Sequence, residues 1–246
     1  MTTSGKKFIV VGGGIGGLAA AVALSQQGVH VTVLEQAAQL GEIGAGVQLG
    51  PNAFAALDAL GVGEKARKRA VFTERLIMMD AVDGSEVGSF PVGQAFRDRF
   101  KNPYAVIHRA DIHTSMLEAT QGSDLIHVET STKVVSVTQD NEGVTAVDQN
   151  GRIFKADALV AADGVRSVIR EKMFNDPPRI SGHVVYRAVV PVAEMPLDLQ
   201  INAPVVWAGP DCHLVHYPLR DGQQYNLVVT FHSRDEEEWG VTDGSK

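Results

Sequence analysis

Lys7 to Glu35 reads KFIVVGGGIGGLAAAVALSQQGVHVTVLE, and the fold follows from how this stretch divides. Lys7 to Val11 is a short apolar run rich in β-branched residues, which suits a buried parallel strand. A glycine cluster follows at once. Leu18 to Gln27 then has a helical pattern, with Leu18, Ala21, Val22 and Ser25 along one side, and Gly28 is placed to end it. His30 to Leu34 is a second strand. Strand, turn, helix and strand make a βαβ unit, and in that context the spacing of Gly12, Gly14 and Gly17 satisfies G-x-G-x-x-G. Each glycine has a separate physical task. Gly12 permits the tight turn, Gly14 lets a pyrophosphate approach the backbone, and Gly17 allows close packing of helix on strand. The helix N-terminus offers unpaired N–H groups and a positive dipole end to the diphosphate. Glu35 ends the second strand 35 − 14 = 21 residues beyond Gly14, where a carboxylate accepts hydrogen bonds from ribose hydroxyls and repels a 2′-phosphate. The ligand expected is FAD or NAD rather than NADP. Ile15, at the turn, and Gln36, beside Glu35, are counted with the cofactor residues.

Outward from this unit, Gly41 to Gly50 (GEIGAGVQLG) is too rich in glycine to predict a regular element. Helices are expected over Pro51 to Leu60, ended by Gly61, and over Asp111 to Thr120. Strands are expected over Leu76 to Ala81, Lys133 to Thr138, Val144 to Asp148, Arg152 to Lys155 and Leu159 to Ala162. Asn150-Gly151 marks a hairpin. After Arg170 the pattern changes. Val184 to Val190, Val205 to Trp207, His213 to Tyr217 and Gln224 to Phe231 all alternate as strands, Asp221-Gly222 marks another hairpin, and no further helix is expected. The first part is α/β and the last part mostly antiparallel β. We expect a nucleotide-binding domain over 1–71 and 99–178, and a partial substrate-binding β domain over 72–98 and 179–246.

The composition excludes several functions. The 246 residues are 44% hydrophobic and carry a formal charge of −7, which disfavours nucleic acid as a partner. Cys212 is the only cysteine, so no internal disulfide forms, and a reducing, cytoplasmic setting is expected. Its size suggests a small buried side chain rather than a nucleophile. No Cys/His spacing suits a metal, no Ser-His-Asp signature is present, and no stretch reads as a signal peptide or membrane span.

Three further motifs extend the reading: Gly44-Ala45-Gly46-Val47-Gln48-Leu49-Gly50-Pro51-Asn52, His108-Arg109-Ala110-Asp111, and Ala162-Asp163-Gly164-Val165-Arg166-Ser167. In this order they resemble the successive signatures of the single-component FAD-dependent aromatic hydroxylases, over Phe8 to at least Phe231. The resemblance implies a Rossmann-type FAD-binding domain with a mostly antiparallel β substrate domain. It implies FAD as cofactor, NADH and O2 as co-substrates, and a small aromatic acid as substrate. The resemblance makes 3-hydroxybenzoate, converted to 2,5-dihydroxybenzoate, the expected substrate, with salicylate or 6-hydroxynicotinate as alternatives. It places Arg109 at the ribityl or phosphate part of the flavin and Val47 and Gln48 beside the ribityl chain and ring. It also places Val134 at the adenine, and Asp163 at the cofactor and the groove for reduced nicotinamide.

In such chemistry the cofactor does the oxidation and the protein supplies position and electrostatics. A phenol that loses its proton becomes electron-rich ortho and para to its oxygen, so a base beside it speeds hydroxylation. The expected strand His213-Leu214-Val215-His216-Tyr217 puts His213, Val215 and Tyr217 on one face and His216 on the other. His213 and Tyr217 stand roughly 13 Å apart along it, far enough to bracket a small aromatic acid. The resemblance also turns this pair toward the substrate, with His213 as base and Tyr217 as hydrogen-bonding partner. Tyr186 and Arg187 are candidates for the substrate carboxylate. The family's later Gly-Asp signature does not occur in these residues. The fold is therefore expected to be incomplete at its C-terminal side. Residues 1–246 alone are expected to hold FAD weakly, to hydroxylate nothing and to self-associate, with a homo-oligomer open for the parent. An NAD-dependent dehydrogenase and a non-enzymatic dinucleotide-binding module are the competing readings.

Overall fold

The computed structural model describes residues 5–41, 44–176, 179 and 181–232. The end of the expected substrate domain, residues 233–246, lies outside them. The chain forms two compact units, 1–43 with 60–62 and 112–178, and 44–59 with 63–111 and 179–246. In chain order, β1 (Lys7–Val11), α1 (Ile15–Ser25) and β2 (His30–Leu34) open the first unit. The second unit begins with β3 (Gly46–Leu49), α2 (Pro51–Ala59), α3 (Gly63–Arg67) and β4 (Val71–Phe72). It continues through β5 (Arg75–Asp80), β6 (Glu86–Pro91), α4 (Gln94–Phe100) and β7 (Ala105–His108) to α5 (Arg109–Gln121). From Ile112 onward α5 belongs to the first unit. That unit closes with β8 (Ile126–Glu129), β9 (Val134–Gln139), β10 (Val144–Asp148), β11 (Ile153–Ala156), β12 (Ala158–Ala161) and α6 (Val168–Phe174). The second resumes with β13 (His183–Pro191), β14 (Val205–Gly209), β15 (Cys212–Leu219) and β16 (Gln224–His232).

The first unit is a parallel sheet of order β12-β1-β2-β8 beside a β11-β10-β9 meander. Its apolar runs are buried because a parallel strand is covered on both faces. Ile9, Val11 and Leu34 pack there with Val134, Ala146 and Ile169. The helix α1 buries Leu18, Ala21 and Val22, as its spacing requires, and starts at Ile15 because Gly16 and Gly17 are drawn into its first turn.

The second unit holds a six-stranded sheet, β13-β16-β15-β14-β5-β6, in which only β14 and β5 run parallel. A smaller β3-β7-β4 sheet accompanies it. Three expectations are corrected here. The glycine-rich stretch contains a regular strand, β3, because β7 supplies its ladder and Asn226 Oδ1 accepts the Gly46 N–H at 2.6 Å. The chain past Arg170 does contain helix, the end of α6, whose Ser167 side chain caps it by accepting the Arg170 N–H at 2.9 Å. Cys212 is exposed rather than buried, since it follows the hairpin turn at Asp211, where φ is 57°. The compact units also divide the chain differently from the expected domains. Residues 44–59, 63–71 and 99–111 group with the β-rich unit, where β3 and β4 each pair with β7.

Candidate cofactor and substrate site

In the first unit, Gly12 adopts φ +107°, and a Cβ on it would overlap the Ala162 carbonyl oxygen and lie 3.2 Å from the Asp163 N. The turn therefore presses directly on the Ala162-Asp163 backbone. A Cβ on Gly17 would overlap the Gly12 carbonyl oxygen and lie 3.0 Å from its carbon. A Cβ on Gly14 would meet nothing within 4 Å. The one motif glycine expected to face a phosphate is the one with open space above it. Gly14 is also the N-cap of α1 and has no side-chain cap, so the first N–H groups of the helix are left for another acceptor.

Glu35 is held in place by the turn it serves. Its carboxylate accepts the Gly13 N–H at 2.6 Å and the Ala37 N–H at 2.7 Å. Each oxygen keeps a further lone pair for a hydroxyl donor. Asp163 accepts the Ser167 hydroxyl at 2.6 Å, which ties the Asp-Gly turn to the cap of α6. A cleft of about 490 Å³ brings together Gly12, Gly14, Glu35, Gln36, Val134 and Asp163. Ile15 and Gly17 are not on its wall. Arg166 of the third motif is, and so are Thr132, Lys133 and Val168, which sequence reasoning had not singled out. It also missed His113, a buried residue whose Nε2 lies 2.8 Å from the Gly13 carbonyl oxygen and braces the turn. His113 lies within the helix expected over Asp111 to Thr120, but nothing local showed what it would meet.

The remaining candidates lie in the second unit. Val47 and Gln48 pair with Ile107 and Val106, and the Tyr104 hydroxyl donates to the Gln48 side-chain oxygen. Arg109 opens α5, and its N–H donates to the Ala45 carbonyl at 3.1 Å. A Cβ on Gly44 would lie 3.2 Å from Arg109 Cβ, which explains a glycine opposite this arginine.

His213 and Tyr217 occupy different surroundings. His213 is exposed and lines a cleft of about 980 Å³ with His183, Cys212, Thr230 and His232. Tyr217 is 3% exposed and packs with Val71, Val106 and Leu219. Its ring fills the space a Cβ on Gly46 would need. Burial pushes the Tyr217 hydroxyl up to about 12, against the opposing charge of Arg187. It therefore stays protonated near neutrality and able to donate a hydrogen bond. His216, on the opposite face, is buried, and burial pushes its pKa down; its Nδ1 accepts from Trp207 Nε1 at 3.2 Å. Among the described residues no group of His, Cys, Asp or Glu is placed to hold a metal ion, and no helix is long and apolar enough to cross a membrane.

The FAD binding domain profile matches residues 6–240. The chain belongs to this FAD-binding domain family. Among its relatives within and around the family, the 3-hydroxybenzoate 6-hydroxylase of Klebsiella oxytoca is 61% identical over 98% of this chain and 60% of its own length. That of Polaromonas naphthalenivorans is 60% identical over 97% of this chain and 60% of its own length. The chain thus spans about three fifths of the length of these relatives. Of the solved structures, 2,6-dihydroxypyridine-3-hydroxylase from Arthrobacter nicotinovorans superposes with a TM-score of 0.80 at 25% identity. That match covers 96% of this chain and 58% of that one. HpxO of Klebsiella pneumoniae, solved with FAD and uric acid, superposes with a TM-score of 0.78 at 24% identity and shares the fold, over 98% of this chain and 59% of its own.

The residues present fit the adenosine diphosphate end of FAD. Open space stands over Gly14, uncapped N–H groups suit a diphosphate, and the Glu35 carboxylate shares their cleft.

Proposed function

We propose that this chain is the cofactor-binding part, and a portion of the substrate-binding part, of a flavin-dependent monooxygenase. The reaction is hydroxylation of 3-hydroxybenzoate to 2,5-dihydroxybenzoate with NADH and O2, in the cytoplasm of the parent organism. The observation that carries the reading is the convergence of Gly12, Gly14, Glu35, Gln36, Val134 and Asp163 on one cleft in a chain 61% identical to a 3-hydroxybenzoate 6-hydroxylase.

When bound, FAD supplies the redox chemistry that no side chain here can supply. The protein's share is position and proton handling. The N-terminus of α1 would hold the diphosphate, and Glu35 would accept from the ribose. Val134 would meet the adenine, while Val47, Gln48 and Arg109 would hold the ribityl and ring end. His213 accepts the phenol proton, which raises electron density para to that oxygen, the position that becomes hydroxylated. Tyr217, kept protonated by burial, donates a hydrogen bond to the substrate.

The test uses the full-length protein with FAD. NADH oxidation is followed in air with 3-hydroxybenzoate, salicylate, 4-hydroxybenzoate and 6-hydroxynicotinate, and the products are identified. Stimulation by 3-hydroxybenzoate with stoichiometric 2,5-dihydroxybenzoate is expected. A stronger response to another ring, with that ring hydroxylated, overturns the substrate assignment. NAD-dependent oxidation of an alcohol by a flavin-free protein overturns the reaction class.

A further inference from the structure

Tyr186 and Arg187 adjoin on β13, and the sheet register separates them. Arg187 pairs with Val228 of β16, and Val228 pairs with Val215 of β15. Residues opposite one another across strands share a face, as do residues two apart on one strand. Arg187 therefore lies on the face of His213, Val215 and Tyr217, in the cross-strand row midway between His213 and Tyr217. Tyr186 lies on the other face, where its ring stacks on Phe231 with centroids 5.8 Å apart and planes 9° from parallel.

Two strand spacings separate Arg187 from Val215, about 10 Å between backbones, within reach of a long side chain and a small ring between them. The guanidinium is near enough for its charge to be felt at the Tyr217 hydroxyl. Its neighbours on this face are Val185 and Val189 along β13, then Thr230, Val228 and Asn226 on β16. None of them is an acid. The face thus sets one fixed cation among apolar and neutral polar groups, with a histidine on one side of its row and a phenol on the other. That pattern suits a ring bearing a carboxylate and a phenol. The planar guanidinium fork matches a carboxylate in two hydrogen bonds.

We propose that Arg187 is the residue that selects an acidic ring, holding the carboxylate of a hydroxybenzoate whose phenol faces His213. The substrate named rests on the hydroxylase reading above. The test is made on the full-length, FAD-loaded protein. Dissociation constants for 3-hydroxybenzoate and its uncharged analogue 3-hydroxybenzamide are read from the perturbation of the flavin absorbance, in the wild type, Arg187→Gln and Arg187→Lys. The wild type is expected to prefer the acid. Arg187→Gln weakens acid binding by roughly 10- to 100-fold, as loss of hydrogen bonds to a charged group does. It shifts the amide by only a few-fold, and Arg187→Lys recovers part of the preference. Equal weakening of acid and amide, unchanged acid binding, or loss of flavin from Arg187→Gln each overturns the proposal. A wild type that binds 3-hydroxybenzoate but oxidises no NADH in its presence refutes the hydroxylase reading instead. The acid-to-amide ratio then still decides the role of Arg187.

Discussion

Alanine at Gly14 and alanine at Gly17 are the same chemical change three residues apart, and the structure assigns them opposite consequences. At Gly17 the added methyl would overlap the Gly12 carbonyl oxygen and lie 3.4 Å from Ala162 Cβ. The backbone cannot rotate away as a flexible side chain would, so α1 must lift off the turn. Overpacking of this kind costs about 1–3 kcal/mol or more. At Gly14 the backbone has φ −73° and ψ 179°, ordinary for alanine, and the methyl meets nothing within 4 Å. Alanine caps a helix less well than glycine, so the folding cost stays below about 1 kcal/mol. The methyl does, however, occupy the open space over the N-terminus of α1, where the diphosphate is proposed to lie. Losing one or two hydrogen bonds to a charged group, about 1.5–3 kcal/mol each, weakens FAD binding by at least tenfold. The assay pairs thermal unfolding of the apoprotein with FAD titration by flavin fluorescence quenching, on full-length protein. Gly17→Ala should lower the melting temperature; Gly14→Ala should leave it nearly unchanged and raise the Kd for FAD. A Gly14→Ala protein that binds FAD with wild-type affinity would refute the placement of the diphosphate.

Other outcomes follow from the same geometry. His213→Ala should lower hydroxylation by about 10²-fold, the usual size of a general-base effect, while FAD content is retained; unchanged turnover would remove His213 from the mechanism. Tyr217 is buried with its hydroxyl raised from 10.0 to about 12, so between those values the unfolded chain ionises and the native one does not. Stability should therefore fall by about 3 kcal/mol as pH rises from about 10 to 12, and Tyr217→Phe should remove that part of the slope in urea titrations at several pH values. His216 behaves in the opposite sense: burial lowers its native pKa, so its contribution is complete above about 6.5 and is lost as pH falls below it. Melting of His216→Phe should depend less on pH in that acid range than melting of the wild type.

The stretch from Lys7 to Glu35 was legible because its pattern is local. An apolar run, three glycines and an acid at the next strand end each state a backbone requirement, and β1, α1 and β2 formed where those requirements lie. The strand β3 was not legible. Its regularity comes from β7 and from Asn226, which is 180 residues away in sequence. The glycine at 46 looked like a loop signal, although it is there to make room for the Tyr217 ring. The strand β8, fourth in the parallel sheet, was missed because Ile126–Glu129 is four residues long and only partly buried. The site divides in the same way. Gly12, Glu35 and Asp163 carry motif spacing, whereas Thr132, Lys133 and the brace at His113 depend on chain crossings that no local pattern encodes. Alternation on β15 put His213 and Tyr217 on one face, but it could not show that one would be exposed and the other buried.

The parent protein is proposed to insert oxygen from O2 into a hydroxybenzoate. The most direct measurement gives the full-length, FAD-loaded protein 3-hydroxybenzoate, NADH and O2 labelled with heavy oxygen, and determines the isotope content of the product by mass spectrometry. One labelled oxygen atom in each molecule of 2,5-dihydroxybenzoate is the predicted result. A product carrying oxygen from water, or NADH turnover that leaves the ring unchanged, would contradict it.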